Sequence, residues 1–170
     1  MKMKMIGLAL LCALVVMGCG DGAPLPTVAN VDLAKYAGTW HEIASFPSSF
    51  QKGCNCTTAT YTVEADHVKV DNKCFREGKW GGIVGKAFAQ EGTGNAQLKV
   101  QFFWPFKGDY CIIALADDYS YALVGHPNRE YLWVLARNPQ MDEAIYQMLL
   151  AKATSLGFDV AQLVRTAQNC

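Results

Sequence analysis

From Thr39 to Leu135 the chain repeats one pattern: short alternations of apolar and polar residues, separated by hairpin-sized connections. Side chains along a strand face opposite ways with period two, so segments of this kind must bury one face of a sheet. Trp40 to Phe46 opens the series, and Thr57 to Val63 sets threonines against Ala59, Tyr61 and Val63. Val68 to Asp71, Ile83 to Phe88, Leu98 to Phe102, Tyr110 to Ala116, Ser120 to Val124 and Tyr131 to Arg137 follow. Eight strands at this spacing predict an all-β fold, either a sandwich or an antiparallel up-and-down barrel. Then the period changes. After Asn138-Pro139, the residues Ile145, Met148, Leu149, Lys152 and Leu156 recur at helical spacing, and Gly157 stops the run. One C-terminal α-helix is expected there, its stripe packed on the outside of the sheet. Residues 158–166 leave room for a short last strand.

Charge narrows the partners. Fifteen basic side chains balance fifteen acidic ones and the pI is near 6.8, which leaves no electrostatic footprint for a nucleic acid. With 51% hydrophobic and 18% charged residues in a chain of 170, one well-filled domain is expected.

The N-terminus is a separate unit. Lys2 and Lys4 precede an apolar run from Met5 to Met17, which ends at Gly18-Cys19. Residues 1–18 have the form of a signal peptide. Val16-Met17-Gly18-Cys19 resembles the bacterial lipobox, in which a diacylglycerol is attached to the cysteine and cleavage falls just before it. Cys19 is therefore the expected lipid anchor; the alternative is an ordinary secretory signal that happens to end in a cysteine. Residues 19–30, with their prolines and glycines, are expected to form a lipidated tether, and residues 31–170 the folded domain. By analogy with bacterial sorting rules, Gly20 rather than aspartate after the anchor leans toward the outer membrane, with the domain facing the periplasm.

Three segments carry a family resemblance. Gly38-Thr39-Trp40-His41-Glu42-Ile43-Ala44 resembles the first lipocalin motif, with His41 where tyrosine is commoner. The segment Ala116-Asp117-Asp118-Tyr119-Ser120-Tyr121 resembles the second, its tyrosine moved by one. Tyr131-Leu132-Trp133-Val134-Leu135-Ala136-Arg137-Asn138-Pro139 resembles the third. The resemblance runs from about Val31 to Cys170 and is nearest to bacterial outer-membrane lipoprotein lipocalins, with apolipoprotein D more distant. It implies an eight-stranded antiparallel barrel with a calyx open at one end. It further implies that Trp40 plugs the closed end beneath the Arg137 guanidinium, a structural pair. The same resemblance implies a carrier of fatty acids or lysophospholipids for membrane maintenance, and brings an expectation of homodimers.

Within such a barrel, alternation assigns faces. Trp40 inward turns Glu42, Ala44 and Phe46 inward as well. Threonines outward leave Ala59, Tyr61 and Val63 inward; Lys99 and Gln101 outward leave Leu98, Val100 and Phe102. Trp133 and Leu135 share the parity of Arg137. Lys86 outward places Gly85 and Ala87 inward, where small residues leave room. The lining is apolar with one carboxylate, which suits an acyl chain. Phe103-Trp104-Pro105-Phe106-Lys107 is an aromatic loop with two open readings: placed at the mouth or against a membrane, or packed on its neighbours.

Seven cysteines suit an oxidising compartment. Cys12 would leave with the signal and Cys19 take lipid, which leaves five. The family ties its C-terminus to the start of the second strand, and this implies Cys56–Cys170. Cys54 and Cys74 bracket the hairpin at Ala65-Asp66 and form the second expected pair, which leaves Cys111 free. Alternation sets Cys74 inward but Cys54 and Cys56 outward, so a bulge or strand end before Cys74 is expected. A Cys-x-Cys metal site is the competing reading, and it lacks a second ligand pair. No phosphate loop, nucleophile elbow or cofactor motif occurs, so a non-enzymatic binder without cofactor or metal is expected. Two alternatives stand beside it: a barrel enzyme acting on a lipid-like substrate through Cys111, and a structural or partner-binding lipoprotein with a solid lumen.

Overall fold

The structure, a computed structural model, describes residues 24–170. The signal peptide expected at residues 1–18 and the lipid attachment expected at Cys19 lie outside the described residues.

Eight strands form a closed wall: β1 Gly38–Ser45, β2 Asn55–Val63, β3 Val68–Arg76, β4 Lys79–Ala89, β5 Gln97–Phe103, β6 Phe106–Leu115, β7 Tyr121–Gly125 and β8 Leu132–Ala136. Each pairs antiparallel with the next, and β1 meets both β2 and β8. β3 and β4 run longer than their alternating cores. Their ladder continues through Cys74↔Gly81 to Arg76↔Lys79 and turns at Glu77-Gly78, both at positive φ. A two-residue turn of that kind matches strand twist, and glycine at its second place makes it cheap. A ninth strand, β9 Val164–Arg165, adds to β1 at Ala44 and Ser45.

β1 is the closing strand, and its two halves are satisfied differently. Toward the closed end, Gly38 to His41 pair with Tyr61 to Thr58 of β2. β8 stops at Ala136, and the Arg137 guanidinium takes over on that side. It donates to the carbonyls of Thr39 (3.0 Å), Lys35 (2.8 Å) and Ala37 (2.9 Å), and its Nε to that of Tyr119 (3.3 Å). The same guanidinium lies 3.9 Å from the centroid of the fully buried Trp40 ring. Toward the open end, β1 pairs with β8 and diverges from β2, and the C-terminal segment fills the seam. The amide of Thr166 donates to Ile43, and that of Cys56 to Ala167. The Cys56–Cys170 disulfide staples this segment to β2 across 114 residues.

The second disulfide joins Cys54 and Cys74, and Cys111 is free and buried. The bulge that reconciles the faces sits in β2 between Asn55 and Thr58, not before Cys74. Cys56 there adopts φ 47°, a left-handed conformation that turns it toward the C-terminus. A second bulge, between Glu42 and Ala44 in β1, shifts that strand's alternation in the same way.

Two apolar cores result. One fills the barrel around Trp40, Tyr61, Val70, Leu98, Ile112 and Leu135. The other lies between the wall and the helix α2 Glu143–Ser155, around Ile43, Leu123, Leu132, Val134, Leu149 and Phe158. Gly125 must stay a glycine here, since a Cβ would stand 2.5 Å from the Phe158 ring. α2 buries Tyr146, Leu149 and Ala153; Met148 and Lys152 of the expected stripe face solvent. The Arg165 guanidinium lies 3.7 Å from the centroid of the Tyr146 ring, a contact between α2 and β9.

The first described residues are not a free tether. Leu25 is buried, Val28 donates its amide to Ile112, and Val31 donates to Gly94. One turn of helix, α1 Leu33–Tyr36, then caps the closed end behind Asp32, whose carboxylate accepts from Ala34 and Lys35. It is too short to show a helical period in sequence.

Replacing Arg137 with alanine strips donors from five carbonyls, those of Lys35, Tyr36, Ala37, Thr39 and Tyr119, and is expected to cost about 3 kcal/mol in urea unfolding. Arg137→Lys keeps a charge without the fork, so a smaller loss is expected. A loss below about 1 kcal/mol for alanine would show that the closed end holds without it.

Candidate ligand-binding site

The lumen has a floor and an upper chamber. At the floor, the Trp40 indole donates to the Tyr36 carbonyl at 2.8 Å. Above it three hydroxyls converge, with Tyr110 2.7 Å from Tyr36 and 2.9 Å from Tyr61. Burial pushes Tyr61 up to about 12 and raises Tyr36 and Tyr110 well above the usual phenol range. All three stay neutral at physiological pH. Three hydroxyl protons share two contacts, so the trio holds one donor beyond what its own contacts consume.

The upper chamber is lined by Ala59, Val100, Phe102 and Trp133, which face the interior core but are only half-buried. Inward side chains that keep solvent exposure line a lumen open toward the mouth. Gly85 does not leave free space, because the Phe102 ring lies against it and a Cβ there would meet that ring at 2.6 Å. Tyr131 and Trp133 stack with ring planes 8° apart, and Phe50 and His126 flank Tyr131. An aromatic file thus runs from the rim into the chamber. The Asn72 Oδ1 is buried without a partner on β3, in register with Ala59.

The structure brings together Ala59, Tyr61, Leu98, Val100, Phe102, Trp133 and Leu135 in the interior core. Ala44 and Phe46 belong elsewhere. The β1 bulge moves them into the core beneath α2. Val63 ends β2 at the closed end and is exposed. Glu42 is buried, but its carboxylate is occupied at the seam by Ser45 (3.1 Å), Gln51 (2.7 Å) and Thr166 (2.5 Å). It is a joint of the wall rather than a free polar group. Tyr36, Tyr110 and Asn72 escaped the sequence reading. Tyr36 lies on the unforeseen α1, and Tyr110 precedes Cys111-Ile112-Ile113, a run buried on both faces that shows no alternation.

Cys111 cannot serve the enzymatic alternative. It is 2% exposed and belongs to the core beneath α2, while its neighbour Ile112 faces the lumen. Burial, with Asp109 adding to it, pushes the thiol up to about 11, the reverse of an activated nucleophile. Cys54 and Cys56 are both consumed in disulfides, which removes the Cys-x-Cys metal reading. A thiol that holds its proton in the fold and releases it near 8.5 when unfolded favours the fold below that pH. This contribution is lost as pH rises from about 9 to 11. Melting temperature should therefore fall over that window, and less steeply in Cys111→Ala; equal slopes would place the alkaline sensitivity in the tyrosine trio alone.

A family profile described as a lipocalin-like domain matches residues 31–168. The chain is 38% identical over 174 aligned positions to the outer membrane lipoprotein Blc of Escherichia coli K12, covering 99% of this chain and 98% of that protein. It is 37% identical to apolipoprotein D of Rattus norvegicus over 85% of this chain and 82% of that one. Among solved structures, insecticyanin from Manduca sexta shares the fold with a TM-score of 0.69 at 21% identity, over 88% of this chain and 85% of that one. Closed antiparallel wall, Trp40 under Arg137 and near-full-length identity agree: the chain belongs to the lipocalin family.

Proposed function

We propose that this protein is a lipid-anchored carrier of single-chain lipids, fatty acids or lysophospholipids, at the bacterial outer membrane. The observation that carries the reading is the upper chamber. Ala59, Val100, Phe102 and Trp133 line it with apolar surface still open to solvent, a wall that an acyl chain would dry. The polar groups within reach are few and neutral: the spare hydroxyl proton of the tyrosine trio as donor and Asn72 Oδ1 as acceptor. That balance suits a ligand with a long apolar part and few hydrogen-bonding groups. The near-full-length similarity to an outer membrane lipoprotein and the lipobox-like Val16-Met17-Gly18-Cys19 support attachment through Cys19 and a domain held on the periplasmic side. Nothing in the site supplies a nucleophile or a charged acid–base pair, so the proposed role is binding and transfer.

Titration with fatty acids and lysophospholipids, followed by tryptophan fluorescence, tests the reading. Trp133 should report binding, and Trp133→Phe should abolish most of the signal while ligand still binds by calorimetry. Val100→Asn puts an amide without partners into the chamber and should weaken binding about tenfold or more. A folded barrel that responds to no acyl ligand would overturn the proposal in favour of the structural lipoprotein.

A further inference from the structure

The mouth of the barrel carries large apolar side chains that nothing in the described chain covers. Phe50 is 63% exposed between β1 and β2, Trp80 is 60% exposed at the start of β4, and Trp104 is 86% exposed in the β5–β6 turn. Phe103 and Phe106 stand exposed on either side of Trp104. The aromatic loop is therefore not packed on its neighbours. These connections share one end because alternate connections of an up-and-down barrel do.

Charge divides the same way. Lys52, Arg76, Lys79 and Lys107 are exposed at the mouth, against Glu77 and Glu130. At the closed end Asp32, Glu64, Asp66, Glu91, Asp117 and Asp118 are exposed, against Lys35, Lys69 and Lys86. A chain with no net charge thus has a basic, aromatic mouth and an acidic base.

We propose that the mouth docks on the surface of an anionic phospholipid bilayer, with Phe50, Trp80, Phe103, Trp104 and Phe106 at the headgroup level. Tryptophan and its aromatic neighbours favour that boundary, and basic side chains beside them are drawn to anionic headgroups. The course of the first described residues agrees. Going from Val28, bonded to Ile112, to Val31, bonded to Gly94 in the β4–β5 connection, the segment descends toward the closed end. Its N-terminal direction is therefore toward the mouth. Cys19 lies five residues before Pro24, a reach of at most about 17 Å, so a lipid there holds the domain close to its bilayer. This last point rests on the lipid attachment proposed above; the aromatic and basic rim does not. Docked this way, the chamber opens directly onto lipid, and an acyl chain enters without crossing water.

The full protein is mixed with vesicles of phosphatidylethanolamine and phosphatidylglycerol whose acyl chains are brominated, since bromine quenches only tryptophans at contact. Trp40 is sealed at the closed end, so Trp80 and Trp104 are the rim reporters and Trp133 reports the lumen. Quenching relative to unbrominated vesicles that disappears in the double variant Trp80→Phe, Trp104→Phe is the expected result. Quenching that survives the double variant and vanishes in Trp133→Phe would overturn docking while leaving lipid binding intact. Rim quenching without any Trp133 response to free acyl ligands would support docking and count against the carrier reading. Lys52→Gln and Lys79→Gln should each weaken vesicle binding about fivefold at low salt. Unquenched wild-type protein, or a rim buried in a dimer that ignores vesicles, would overturn the inference.

Discussion

A closed barrel needs a strand that can be hydrogen-bonded on both edges, and here β1 must find four sets of partners rather than two. β2 serves its closed-end half and β8 its open-end half. Arg137 replaces β8 where that strand ends, and the C-terminal segment replaces β2 where that strand departs. Buried backbone groups left without partners cost about 1–3 kcal/mol each, so all four are needed for the ring to hold. The two disulfides lie at this weak place. Cys56–Cys170 fixes the C-terminal segment to β2, and Cys54–Cys74 fixes the start of β2 to β3.

That closure also determines what the lumen can be. Trp40 and the tyrosine trio fill its lower half because Arg137 and α1 seal the end beneath them. Above them Ala59, Val100, Phe102 and Trp133 face the interior but stay half-buried. Glu42 illustrates how closure competes with function. It faces the seam, and binding the C-terminal segment through Thr166 uses the one carboxylate that parity had offered to a ligand.

The legibility of the faces follows the solvent. Where one side of a strand meets water, as at Lys99 and Gln101 or at the threonines of β2, alternation places Leu98, Val100, Phe102, Ala59 and Tyr61 inside, and the structure puts them in the interior core. Where both sides are buried, polarity carries no phase. β1 is covered by the lumen on one face and by α2 on the other, so nothing in Ala44 or Phe46 marks the bulge that turns them outward beside Ile43. Tyr110 was hidden by the same doubly buried stretch of β6.

The sequence by itself determined the eight wall strands and the C-terminal helix; the family its motifs resemble added the antiparallel barrel order, the Trp40–Arg137 pair and, through Cys56–Cys170, the cysteine left over. Local period and a resemblance carried by short motifs need no knowledge of what packs on what. Only the tertiary structure decided the bulge in β2 that brings Cys54 onto Cys74, the side of α2 that meets the wall, and the fate of Glu42. It also decided that dispersed aromatics and lysines from separate turns meet at one end. Each of these depends on a neighbour distant in the chain: a one-residue bulge costs little locally, and the contacts that repay it come from elsewhere in the fold.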